Sequence, residues 1–148
     1  MNYRRIYDDI QVIKKLNAPD DVKRNLIEVL CKQKNNLWEV IGITQNALKI
    51  FKKYNFERVS GMGINRSHII DRNKTYQIML ERNLSYEEWK QILINNDRTI
   101  LATSNENNKN KFSKTYEITK KGLFKANKIN ASWKHGDAEK SYLRILAA

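Results

Sequence analysis

Cysteine and proline are nearly absent: the 148 residues hold one of each, Cys31 and Pro19. A single cysteine excludes an internal disulfide and a cysteine-rich zinc site. Cys31 sits in an apolar helical pattern and reads as a buried small hydrophobe. With five glycines, there is no glycine-rich phosphate loop, and no serine or cysteine nucleophile arrangement is present. No run approaches the ~20 apolar residues of a membrane span. The opening MNYRRIYDDI interrupts its apolar residues with charge, so it does not read as a signal peptide. By exclusion, a cytoplasmic protein without a membrane partner is expected.

Acidic residues are also scarce. Sixteen Asp and Glu face 28 Lys and Arg, for a net charge of +12 and a pI of about 9.8. That balance points to an anionic partner, nucleic acid first. A solvated lysine surface is the competing explanation. From Thr103 onward, ten Lys and Arg stand against four Asp and Glu, a net of +6. Half of the excess therefore falls in the last third, which favours a binding surface.

The spacing of Tyr3, Ile6, Tyr7, Ile10, Ile13 and Leu16 predicts a helix. Pro19, followed by Asp20 and Asp21, predicts the start of a second. Val22, Leu26, Val29 and Leu30 give that helix an apolar face, and both helices read as scaffold. From Asn36 to Tyr54, Leu37 and Ile41 precede Gly42, and Thr44 then caps a helix carrying Leu48 and Phe51. Helix, glycine turn and helix resemble a helix-turn-helix, with Gln45, Asn46 and Lys49 at the front of its second helix for DNA contact. An ordinary helical hairpin is the alternative. Lys52, Lys53 and Arg58 read as a solvated face, and Phe51 and Phe56 as core.

The central stretch carries the chemistry. Phe56 to Ser60 reads as a short strand, and Gly61-Met-Gly63 as a turn. Ile64 to Ile70 reads as a second strand that places Ile64, Arg66, His68 and Ile70 on one side. Arginine and histidine sharing a face with isoleucines are costly unless that face opens onto a polar cleft. Two helices are expected between Asn73 and Ile94. Tyr76, Met79 and Leu80 line the first. Ser85-Tyr-Glu-Glu88 caps the second, with Trp89, Ile92 and Leu93 buried.

Asn65-Arg-Ser-His68 resembles the Asp-Arg-Gly-His signature of the His-Me finger (ββα-metal) nucleases. SHIIDRNK resembles the strand of HNH endonucleases from phage, homing and restriction systems. Arg98-Thr-Ile-Leu-Ala-Thr-Ser-Asn-Glu-Asn107-Asn108 resembles the strand-to-helix ending of the same enzymes. The resemblance implies His68 as general base and Arg66 as the residue holding the scissile phosphate. It implies Asn107, with Asn108 as its substitute, as ligand to Mg²⁺ or Mn²⁺. The chain departs from many HNH enzymes at Ser67, where a second metal ligand often stands. The loop-tying asparagine of that family falls near Arg98, with Asn96 or Asp97 as its substitute.

In the last third, Tyr116 and Ile118 suggest a strand and Gly122 a break. Leu123, Phe124, Ile129 and Trp133 lie among Lys120, Lys121, Lys125 and Lys128, a mixture suited to a nucleic-acid backbone. Asp137 to Leu146 reads as a helix burying Tyr142, Leu143 and Leu146, and His135 reads as surface.

The expected fold is α+β in three segments: helical residues 1–55, a ββα-metal core with a helical insert at 56–110, and a basic extension at 111–148, forming one compact unit. The expected activity is metal-dependent hydrolysis of double-stranded DNA by a monomer or homodimer. A non-catalytic helix-turn-helix protein and an RNA-directed nuclease or RNA-binding protein are the alternatives.

Overall fold

A computed structural model describes residues 2–32, 38–125 and 133–148. Asn36 and Leu37 of the expected helix-turn-helix, and Lys128 and Ile129 of the basic extension, lie outside the described residues. The fold is α+β, with seven helices and a four-stranded mixed sheet among the described residues. No described helix is long and apolar enough to cross a membrane.

Helices α1 (Tyr3–Lys14) and α2 (Asp20–Lys32) come first along the chain. Strand β1 (Val40–Thr44) leads into α3 (Gln45–Lys53). Strand β2 (Ile64–His68) is followed by α4 (Arg72–Glu81) and α5 (Tyr86–Asn96). Strand β3 (Thr99–Thr103) runs into α6 (Ser104–Lys109), then β4 (Thr115–Glu117) and α7 (Asp137–Leu146). The sheet order is β2-β3-β1-β4, so all three sequence segments contribute strands. Only β1 and β3 run parallel; β2 with β3 and β1 with β4 are antiparallel.

Two apolar clusters hold the chain together. One joins the sheet to α3 and α7 through Ile43, Phe51, Leu101, Phe124 and Leu143. The other joins α1, α2, α4 and α5 through Ile10, Ile27, Met79 and Trp89. Each such buried side chain contributes about 1.5–3 kcal/mol relative to exposure. The helical insert between β2 and β3 thus completes a four-helix cluster with the N-terminal scaffold. The cap expected at Ser85 is present in full: its side chain accepts from Glu88 N–H, and Glu88 accepts from Ser85 N–H at 2.8 Å.

Several expectations need correction. Helix α2 buries Ile27 and Cys31, while Val22, Leu26 and Val29 are exposed. The helix is rotated by about one residue, roughly 100°, because Ile27 and Cys31 fit the hollow made by α1 and α4. Phe56 to Ser60 is not a strand: Asn55 and Phe56 have φ of 52° and 61°, which no strand accepts. The Gly61 and Gly63 turn does use positive φ, at 76° and 74°. Strand β2 ends at His68 rather than Ile70, and Ile69 and Ile70 bend outward and are exposed. His135 is half-buried, stacked on Phe51 at 5.2 Å, with its Nε2 donating to Phe56 O at 2.8 Å.

Among the described residues there is no helix-turn-helix: Ile41, Gly42 and Ile43, expected at the end of its first helix and in its turn, lie in strand β1. Gly42 is not a turn residue but sits in the strand between β3 and β4. A Cβ there would meet Thr115 Cγ2 and the Tyr116 carbonyl oxygen, both at 3.0 Å. Glycine is required for strand approach, not for backbone freedom. Gly42→Ala should therefore destabilise the fold by about 1–3 kcal/mol, read as a lower urea midpoint. An unchanged midpoint would mean that β4 does not pack as closely as described.

Candidate active-site groove

The hairpin of β2 and β3 and the helix α6 form a strand–strand–helix unit, with α4 and α5 spliced between the strands. In its register, His68 faces Thr99 and Ile64 faces Thr103. His68 therefore lies at one end of the hairpin, and α6 begins about 13 Å away along the strands. Helix α6 packs against both strands, and Ser104 N–H donates to Gly63 O at 2.7 Å. A groove of about 1250 Å³ runs along this unit and is lined by Arg66, His68, Arg72 and Asn107 among others.

His68 is held from two directions. Its Nε2 lies 3.1 Å from Asp97 Oδ1, and its ring meets the Trp38 indole edge-on at 4.7 Å. A carboxylate can only accept, so the proton resides on Nε2. The Nδ1 lone pair is left free and makes no hydrogen bond among the described residues. Asp97 is buried at the C-terminal end of α5, just before β3. It occupies the region where the sequence places the loop-tying residue, but it acts directly on the histidine ring. Asn96 instead donates to Thr75 Oγ1 at 3.1 Å, tying α5 to α4.

Arg66 is 6 % exposed. Its Nη1 donates to Trp38 O at 3.2 Å, and its guanidinium carbon lies 4.7 Å from the centre of the Trp38 ring. Burial, and then the neighbouring Arg72, draw its pKa down to about 10 despite the opposing Asp97 charge. Its Nε and Nη2 have no partner. Arg72 approaches the same indole at 4.6 Å. Asp71 does not pair with Arg72; it caps α4 by accepting from Asn73 N–H at 2.8 Å.

Asn107 lies exposed in the first turns of α6 and lines the groove, and its side chain makes no hydrogen bond among the described residues. Asn108 does not line the groove; Asn110, the left-handed C-cap of α6, does. No cluster of three or more His, Cys, Asp or Glu forms a metal cage among the described residues. The groove's oxygen donors include the carboxamides of Asn107 and Asn110 and the carboxylate of Asp71; so few protein ligands suit a hard ion that takes most of its ligands from water and phosphate.

The residues expected to grip DNA lie elsewhere. Gln45, Asn46, Lys49, Lys120, Lys121 and Lys125 are not in the groove wall. Asn46 is exposed, and its Nδ2 donates to Glu106 Oε1 at 3.2 Å. Lys49, Lys120, Lys121 and Lys125 are exposed. Arg58 is no simple solvated cation: it stacks on Trp133 at 4.1 Å and donates to that residue's carbonyl at 3.0 Å.

Beneath the groove, Glu106 organises α6. Its carboxylate accepts from Thr44 Oγ1 at 2.8 Å, Thr103 N–H at 2.9 Å and Ser113 N–H at 2.9 Å. Thr103 returns the contact by accepting from Glu106 N–H, which completes a capping box. The Thr-x-x-Glu spacing is the same signal that marks Ser85 and Glu88, so this residue was findable in sequence. Trp38 and Arg72 carry no such signal, because their roles depend on distant partners.

No family model matches the chain, and neither curated proteins nor solved structures give a match.

Burial pushes the Glu106 carboxyl upward, but hydrogen bonds from Ser113, Thr103 and Thr44 outweigh it and hold the group down to about 2. Its contribution is complete above the ordinary carboxylate range and is lost as pH falls from about 4.5 toward about 2. Glu106→Ala should lower stability by about 3 kcal/mol at neutral pH, since it orphans several buried donors. It should also flatten the acid limb of the stability profile in that window, measured by urea unfolding. An unaltered acid limb would remove Glu106 from that role.

Proposed function

We propose that the protein is a divalent-metal-dependent endonuclease acting on double-stranded DNA. The observation that carries this reading is His68, ring-bonded to buried Asp97, in one groove with Arg66 and Asn107. Phosphodiester hydrolysis needs a base for water, a cation for the phosphate and stabilisation of the departing oxygen. The excess of positive charge supports a polyanionic substrate.

In this mechanism the free Nδ1 of His68 takes a proton from the attacking water. Asp97 fixes the ring orientation and stabilises the imidazolium that results. Arg66 neutralises the phosphate. Asn107, assisted by Asn110, would hold Mg²⁺ or Mn²⁺ through carboxamide oxygen. When bound, that ion supplies Lewis-acid stabilisation of charge on the phosphate and leaving oxygen. For the non-catalytic helix-turn-helix alternative, the expected turn at Gly42 lies in strand β1. RNA as substrate is tested by competition between duplex DNA and RNA at matched salt.

The test is cleavage of supercoiled and linear duplex DNA in Mg²⁺ and in EDTA. His68→Ala should slow cutting by about 10²–10⁴-fold and leave DNA binding intact. Asp97→Ala should slow it by a smaller factor. Asn107→Ala should slow it too, with partial recovery at raised Mg²⁺. Binding without cutting in either Mg²⁺ or Mn²⁺ would reject the nuclease reading, and full activity in any one variant would remove that residue from the mechanism.

A further inference from the structure

Arg66 and Arg72 form a pair of cations beside the general-base candidate, with the charge of Asp97 nearby but, among the described residues, no carboxylate in direct contact. Both guanidiniums lie against the Trp38 indole, at 4.7 and 4.6 Å. Arg66 Nε and Nη2 and Arg72 Nη1 are buried without a hydrogen-bond partner. Among the described residues, no carboxylate lies within salt-bridge distance of either side chain. The neighbouring hydroxyl of Ser67 is likewise buried and unpaired.

Such an arrangement is unfavourable in an empty site. Buried charges are ordinarily paired, and buried N–H groups are ordinarily bonded. Two like charges held near one ring also repel each other, and Arg72 is one of the influences that lower the Arg66 pKa. An oxyanion held by the two guanidiniums offsets their like charge and accepts from their free N–H groups. A guanidinium fork matches the oxygen spacing of a phosphate, and stacking on an aromatic face fixes its plane. Arg66 is almost wholly enclosed, whereas Arg72 is partly exposed at the start of α4. Both line the groove that holds His68.

We propose that Arg72 and Arg66, set against Trp38, form a phosphate clamp in which Arg72 is a substrate-binding residue for a nucleic-acid backbone phosphate. The assignment of the ligand to a nucleic acid rests on the nuclease reading; the oxyanion chemistry of the clamp does not. Arg72 is the outer jaw and meets the phosphate first, and Arg66 closes on it from within. Trp38 aligns the two forks and, through its edge contact with the His68 ring, keeps the clamp next to the base.

The clamp is tested without any cleavage step, in EDTA. Arg72→Gln keeps a polar, hydrogen-bonding side chain, though a shorter one, and removes its charge. Its affinity for a short DNA duplex should fall about tenfold, and the slope of log affinity against log salt should shrink by about 1, the loss of one phosphate contact. Arg72→Lys keeps a charge but not the fork, so it should restore the salt slope without restoring full affinity. Inorganic phosphate, compared with chloride at equal ionic strength, should raise the melting temperature of the unaltered chain more than that of Arg72→Gln. That phosphate arm separates the two readings: protection by phosphate without DNA cleavage would keep the clamp and reject the nuclease. Identical phosphate protection and identical salt slopes in the unaltered chain and Arg72→Gln would overturn the clamp, as would a salt slope in Arg72→Lys equal to that of Arg72→Gln.

Discussion

The carboxylate of Glu106 is the junction at which strand, helix and loop meet. It accepts hydrogen bonds from the end of β1 through Thr44, from the end of β3 through Thr103, from α3 through Asn46, and from the following loop through Ser113. Helix α6 has six residues, too few to be stable alone. A charged acceptor in its first turn also complements the helix dipole. Holding that turn fixes where Asn107 stands, one residue further along. The groove wall therefore depends on a buried carboxylate that never faces the groove itself.

The groove carries the opposite economy. Glu106 is buried and fully bonded, whereas Arg66, Nη1 of Arg72 and the second oxygen of Asp97 are buried with N–H groups or lone pairs unmatched. A fold optimised for stability alone would pair these groups or replace them with apolar side chains. Local conflict of this kind concentrates where a chain is shaped for a ligand. Trp38 makes the conflict bearable, since its π face attracts both guanidiniums while its edge packs on His68.

The four-helix cluster explains how the site tolerates a long interruption. Between His68 and Thr99 the chain leaves the sheet to build α4 and α5, and these pack with α1 and α2, with only the start of α4 reaching the groove. The excursion returns with Asp97, which closes it by bonding His68. A pair 29 residues apart in sequence is thus brought together by packing at the far side of the insert. This same packing positions Thr75 against Asn96, so the two helices hold the return strand in register.

Much of this was set by local sequence. The periodicity of α1, α4, α5 and α7, the cap at Ser85, the positive-φ glycines at 61 and 63, and the strand containing Arg66 and His68 each follow from a few adjacent residues. Their physics acts over one turn or one pleat, which the sequence spells out directly. Other features depended on what lies across the fold. Val40 to Thr44 became a strand because β3 and β4 flank it, and Gly42 serves that crowding, though its neighbours in sequence suggested a turn. Which face of α2 is buried was decided by the hollow between α1 and α4, since Leu26 and Ile27 are equally apolar. The pairing of Asp97 with His68, and the gathering of Arg66 and Arg72 on Trp38, likewise depended on tertiary structure. Side-chain hydrogen bonds and ring contacts between distant segments leave no periodic trace in the chain, and only packing selects them.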